Sequence, residues 1–301
     1  MKDMFHSDDP SDTDWDAVAG TPLRGMRHSI RPRGAALQKA DDATDFRAPT
    51  VEAAGDLAGP TKATCVDDAW ETLPFAEPAA RTKKSSSIPV VDLDRDAATV
   101  RAFDLLRTRL RQTTLENGWI NIGITAPTYG CGNTFTAVNL ALSLSRLAGS
   151  RTVLMDLNLR RPAIAQALET QSPGSMKDFL SGEVPMEQHL VRISDTLALG
   201  LNSEADENSS ETLQDNATWR TLNRMQDMLE PQLIIYDLPP MLTNDDVSGF
   251  LPQLDGVLLI SDGTQTMGRD LLECERMLDG QVPLLGVVLN RARASSVQSY
   301  S

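Results

Sequence analysis

Residues 130–134 read Gly-Cys-Gly-Asn-Thr and lie between an apolar run with strand character and an apolar run with helix character. Two glycines let a backbone curl so that its amides point inward at an anion, and a helix that follows adds its N-terminal dipole. Thr134 supplies a hydroxyl of the kind that ligates magnesium. A phosphate-binding loop of this design ends in Gly-Lys-Ser/Thr, but Asn133 stands at the lysine position. Whether the chain is an enzyme or a relic of one turns largely on that residue. The candidate nucleotide site is Gly130, Cys131, Gly132, Asn133, Thr134 and Phe135. Cys131 reads as a small spacer rather than a reactive thiol, and Tyr129 places a bulky ring where phosphates would enter.

Two carboxylates complete the pattern. Asp156 ends the apolar run Val153-Leu154-Met155, and Asp237 ends Leu233-Ile234-Ile235-Tyr236. In open α/β sheets ligands bind at the carboxyl ends of strands. Asp156 and Asp237, with Thr134, are therefore the expected magnesium-orienting set. A single strand-end aspartate is commonly structural; two of them beside a strand–glycine loop–helix carry more weight.

The elements that must position these groups follow from periodicity. Helical spacing covers 96–116, 134–147, 211–229 and 269–278, with short helices at 163–168 and 175–180. Strands are expected at 119–125, 152–157, 197–201, 233–238, 256–261 and 284–290. Continuous apolar strands alternating with helices imply an α/β fold with a mainly parallel sheet and helices on both faces. Residues 1–90 are Pro- and Asp-rich without periodicity and are expected to be disordered, followed by a domain over 91–293 and a flexible tail at 294–301. Within 1–90, Arg24, Arg27, His28, Arg31 and Arg33 form a basic island that reads as a solvated segment. The run 67–75, with Trp70, Leu73 and Phe75, reads as solvated chain rather than an interaction motif. His189 reads as a surface or interface histidine.

Composition narrows the function classes. The net charge of -14 disfavours a nucleic-acid binder. Three scattered cysteines support neither a zinc site nor a disulfide framework and suit a reducing cytoplasm. No apolar run reaches the roughly 18 residues of a membrane span, and the N-terminus lacks a signal-peptide pattern. Any membrane association is expected to come through a partner.

From about 97 to 293 the chain resembles the bacterial tyrosine kinases of capsular and exopolysaccharide synthesis, P-loop proteins related to the MinD/ParA class. The matching pieces are residues 102–110, the loop through Asn139-Leu140-Ala141, Asp156-Leu157-Asn158-Leu159-Arg160-Arg161-Pro162, Asp237-Leu238-Pro239-Pro240, residues 255–259, and 285–291. The resemblance implies ATP and Mg2+ as cofactors and Asp156, Asn158 and Asp237 at the catalytic positions. It places Asn290 near the adenine. It also implies a Wzz-like membrane polysaccharide co-polymerase as partner, a homo-oligomer or a mixed oligomer with a related kinase, and a cytoplasmic protein held peripherally at the inner membrane. Lacking a membrane portion, the chain is similar to the stand-alone form.

Four departures point to weakened chemistry. The loop lysine is Asn133, and the second acid of the family's Asp-x-Asp-x-Arg-Arg-Pro motif is Asn158. The ring-contact pattern Glu-x-x-Arg-x-x-Arg reads Arg101, Asp104, Arg107, with its first two charges exchanged. The C-terminal tyrosine cluster is reduced to Tyr300, the candidate phosphoacceptor. The expected function is a regulatory or scaffolding protein with lost or weakened phosphoryl transfer; the alternatives are an active tyrosine autokinase or a ParA/MinD-like positioning ATPase. The last would need a second lysine near the loop start, where Pro127 and Thr128 stand.

Overall fold

The computed structural model describes residues 68–76 and 98–292. The basic island and the Tyr300 tail lie outside these residues. Helices α1 (Ala69–Thr72), α2 (Ala98–Asn117), α3 (Asn133–Ser145), α4 (Ile164–Ala167), α5 (Met176–Ser181), α6 (Met186–His189), α7 (Ser209–Gln214), α8 (Asn216–Leu229), α9 (Asp246–Phe250) and α10 (Gly268–Leu278) alternate with seven strands. The strands are β1 (Asn121–Thr125), β2 (Thr152–Asp156), β3 (Leu190–Ser194), β4 (Leu197–Gly200), β5 (Leu233–Asp237), β6 (Gly256–Asp262) and β7 (Leu284–Asn290). They form one sheet in the order β3-β4-β2-β5-β1-β6-β7. Every pairing is parallel except β3 with β4.

Each face of the sheet builds its own core, because successive side chains in a strand point to opposite faces. Val153, Met155, Ile234 and Tyr236 pack on one face with Leu222 and Met225 of α8 and Leu278 of α10. Leu154, Ile235, Ile122 and Ile124 pack on the other with Val138, Leu140 and Leu144 of α3. α3 is buried over most of its circumference, so its N-terminus is held rigidly at the end of β1. The start of β1 is fixed by Asp255, whose Oδ2 accepts from Ile120 N and Asn121 N, both at 2.8 Å.

Several elements depart from the sequence reading. The expected helix over 211–229 is two helices, because Asp215 is extended and caps α8 by accepting from Ala217 N at 2.7 Å. Strand β3 and helix α9 carry no clear periodicity and were not expected. His189 is buried rather than on the surface, stacked on Phe179 with centroids 4.7 Å apart. Burial pushes its imidazole down to about 4.

The largest departure is the run around Trp70, which is folded against the sheet rather than solvated. Trp70 is fully buried, and its indole N–H donates to Asp195 O at 3.0 Å. Arg192 N donates to Pro74 O and Ala76 N to Arg192 O, both at 2.7 Å, so Phe75 makes a parallel bridge on the outer edge of β3. Glu71 pairs with Arg192 at 2.7 Å, and Arg151 pairs with Asp68 while lying over the indole. The strap thereby occupies ladder groups that an edge strand would leave open. Trp70→Ala is expected to lower the unfolding free energy by about 3–5 kcal/mol, read by urea denaturation. An unchanged midpoint would show that the strap adds nothing to the domain.

Candidate functional site

The site sits where β1, β5 and β2 end side by side. Asp237 pairs in register with Ile124 of β1 on one side and Asp156 of β2 on the other. Gly130 and Gly132 take left-handed backbone angles, φ 84° and 95°, which turn the chain from β1 into α3. At Gly132 a Cβ would lie 2.3 Å from Asn290 Nδ2, so the loop admits no side chain there. α3 starts at Asn133 with no side-chain cap, leaving first-turn amides directed at the cleft.

Asp237 organises the loop from below. Its Oδ2 accepts from Thr134 Oγ1 at 2.6 Å, and its Oδ1 accepts from Asn133 Nδ2 at 3.0 Å. The same Asn133 amide donates to Leu238 O at 2.9 Å. Asn133 is thus buried and committed to the end of β5, not extended toward a ligand. Burial raises the Asp237 carboxyl well above its usual range, and the neighbouring Asp156 charge raises it further. Burial likewise pushes Asp156 up to about 7, against the backbone N–H groups of Ile164 and Ala163, which its Oδ2 accepts at 2.9 and 3.0 Å.

The cleft above is about 520 Å³ and open on one side. Its walls include Tyr129, Asn158, Arg161, Asn290 and Arg291. The Arg161 guanidinium lies over the Tyr129 ring, 4.1 Å from its centroid. Arg160 points elsewhere: it pairs with the buried Asp246 at 3.0 Å and donates to Glu207 O at 2.8 Å. Arg291 donates to Asp262 at 2.6 Å and to Gly130 O at 3.1 Å. Asn290 donates to Cys131 O at 2.8 Å and accepts from Arg291 N at 2.9 Å. The end of β7 therefore grips the loop carbonyls from behind, and the Asn290 amide, placed by resemblance at the adenine, is engaged in that grip. Lys177 lies apart from the loop, 3.6 Å from Asp206.

The residues present fit a magnesium ion. Thr134, Asp156 and Asp237 offer hard oxygen donors, and Asp156 Oδ1 is buried without a hydrogen-bond partner. Mg2+ usually takes one or two carboxylates and completes its shell with water and substrate phosphates. Two acids with a hydroxyl suffice for that, although no larger His/Cys/Asp/Glu cluster occurs among the described residues.

No protein-family model matches the chain. The succinoglycan biosynthesis transport protein ExoP of Rhizobium meliloti is 26% identical over 177 residues, 56% of this chain but only 22% of ExoP. The tyrosine-protein kinase YwqD of Bacillus subtilis is 25% identical over 201 residues, 66% of this chain and 83% of YwqD. The kinase domain of the Escherichia coli tyrosine kinase ETK superposes with a TM-score of 0.63 at 22% identity, covering 76% of this chain and 92% of that domain. The relatives of this chain include bacterial tyrosine-protein kinases. Its fold is that of their kinase domains, the parallel P-loop architecture expected from sequence. The chain spans less than a third of ExoP, a far longer protein. Among the described residues no helix is long and apolar enough to cross a membrane.

Set against this kinase architecture, the structure brings together Gly130, Gly132, Asn133, Thr134, Asp156, Asn158, Asp237 and Asn290. Sequence reasoning missed the Asp262–Arg291 grip and the Asp246 anchor of Arg160, which join residues far apart in the chain. A carboxyl whose pKa rises on folding gives stability that is full below its unfolded value of 3.8 and lost as pH climbs through about 7. Ligand-free Asp156→Asn is therefore expected to melt at least about 2 °C above wild type near pH 8. The gain should shrink toward pH 4. A variant less stable than wild type at the higher pH contradicts this reading.

Proposed function

We propose that this chain binds ATP with Mg2+ at the loop and serves exopolysaccharide or capsule synthesis as a regulatory or scaffolding partner with weakened phosphoryl transfer. The observation that carries the reading is the pair of hydrogen bonds that the Asn133 amide donates to Asp237 Oδ1 and Leu238 O. A lysine at that place puts a positive charge on the β- and γ-phosphates. Asn133 puts a neutral amide there and spends it on the protein. Removing one preorganised donor from a transition state costs roughly 3–4 kcal/mol, and losing a full cation costs at least about that. Bound Mg2+ would screen the phosphate charge. This chain's own residues would supply the loop amides, the Thr134 hydroxyl and the two acids that orient the ion.

The partner we propose is a Wzz-like membrane polysaccharide co-polymerase, which would hold the protein at the cytoplasmic face of the inner membrane. In support, ExoP is named for succinoglycan transport. Self-assembly into a kinase ring has less support, because Asp104 and Arg107 are turned onto α3. Ser143 Oγ donates to Asp104 at 2.7 Å, Arg146 pairs with Asp104, and Arg107 donates to Ser143 O at 3.0 Å. The second reading, an active autokinase acting on Tyr300, draws on the retention of Thr134, Asp156 and Asp237.

Calorimetric titration with magnesium-ATP, beside an autophosphorylation assay of the full chain, separates the two. Binding with negligible labelling is expected; robust magnesium-dependent phosphate on Tyr300 would sink the pseudokinase reading. Asn133→Lys should tighten ATP binding by about tenfold or more, a gain of roughly 1.4 kcal/mol. No change would mean that the lost charge is not what limits the site.

A further inference from the structure

Resting on the nucleotide-binding reading above, we propose that Arg161 is the cation that meets the terminal phosphates of the bound nucleotide. It takes from the side of the cleft the charge that the loop lysine would supply from below. Tyr129 is its resting platform in the ligand-free protein.

The argument starts from where positive charge lies. The cleft is lined by two arginines, Arg161 and Arg291. Arg291 is bound to the buried carboxylate of Asp262 and to the loop carbonyl of Gly130. Arg160, the other arginine of its motif, is bound to Asp246 and Glu207 O. Lys177 is on Asp206. Among the described residues Arg161 is left with no carboxylate partner, and it is exposed at the mouth of the cleft.

Its placement is built rather than incidental. Arg161 N donates to Asn158 O at 2.9 Å, closing a tight turn, and the Arg160–Asp246 pair holds the residue before it. Asp156 grips the residues after it through Ala163 N and Ile164 N. With its backbone fixed on both sides, the side chain is aimed at Tyr129, the loop residue that precedes Gly130. An exposed guanidinium stacked on a half-buried ring is held by about 1 kcal/mol, whereas it can fork onto a phosphate through two charge-assisted hydrogen bonds. Phosphates entering the loop would draw Arg161 off the ring. A cation approaching from the side holds phosphate charge without sitting beneath the transferring group, so binding survives where transfer fades.

Nucleotide affinity of the full chain, with Mg2+, tests this using ATP, ADP and adenosine at several salt concentrations. Arg161→Ala is expected to weaken ATP by about tenfold or more, leave adenosine unchanged, and flatten the salt dependence. Arg161→Lys should retain part of the affinity, and Asn133→Lys in the Arg161→Ala background should restore it. The melting temperature should stay at the wild-type value, because Arg161 is exposed. Wild-type ATP affinity in Arg161→Ala, or an equal loss for adenosine, overturns the proposal while leaving nucleotide binding intact. A wild-type chain that binds none of the three overturns the nucleotide reading and this proposal with it.

Discussion

A carboxylate buried at the end of a central strand must find its donors inside the protein, since none come from water. Asp237 takes its side-chain donors from the phosphate loop: the Thr134 hydroxyl on one oxygen and the Asn133 amide on the other. Those two bonds tie the first turn of α3 to β5. Further contacts join the ends of β1 and β5, with Thr125 Oγ1 donating to Pro239 O at 2.6 Å and Met241 N to Ala126 O at 2.8 Å. The loop is thus preorganised before any ligand arrives. The residue that replaces lysine is part of that preorganisation, so Asn133 is a structural member of the loop.

A second constraint comes from the side of the loop away from β5. Without a side chain at Gly132, Asn290 approaches closely enough to hold Cys131 O, and Arg291 reaches past it to Gly130 O and Asp262. Asp262 is held below the usual carboxylate range first by the Thr264 hydroxyl, with Arg291 adding to it. Two strand ends, β5 and β7, therefore grip the loop from opposite sides. This division keeps the N-terminus of α3, which has no side-chain cap, at the cleft, the arrangement that favours an anion.

Much of this was legible in the chain because it is local. Runs such as Leu233-Ile234-Ile235-Tyr236-Asp237 announce both a doubly covered strand and the acid at its end, and the sheet places Asp237 beside Asp156 in register. What stayed hidden depends on contacts at long separation. Trp70 is one aromatic in a polar stretch, and its burial requires β3 and α8, more than a hundred residues away. β3 is short, pairs antiparallel and alternates poorly. The break at Asp215 depends on one side chain capping a new helix within an otherwise continuous helical pattern. The direction of Arg160 away from the cleft and of Arg161 toward it cannot be read from two identical neighbours; the buried Asp246 decides it.

The two asparagines at the site are best understood together. The kinase pattern that this chain resembles has a lysine where Asn133 stands and a second acid where Asn158 stands. Removing the lysine alone would leave three acids at the floor of a cleft with no cation beneath it. Two acids already repel: Asp237 is raised by burial and then by the charge of Asp156. Asn158 is buried, and its Oδ1 has no hydrogen-bond partner, so a carboxylate at that place would be a further unpaired charge removed from water. Exchanging both residues for asparagine subtracts one positive and one negative charge and leaves the net charge of the site unchanged. The pair is thus electrostatically neutral for the fold while it removes charge from the chemistry. The loop thereby keeps its shape, its hydroxyl and two acids with a neutral amide at both positions.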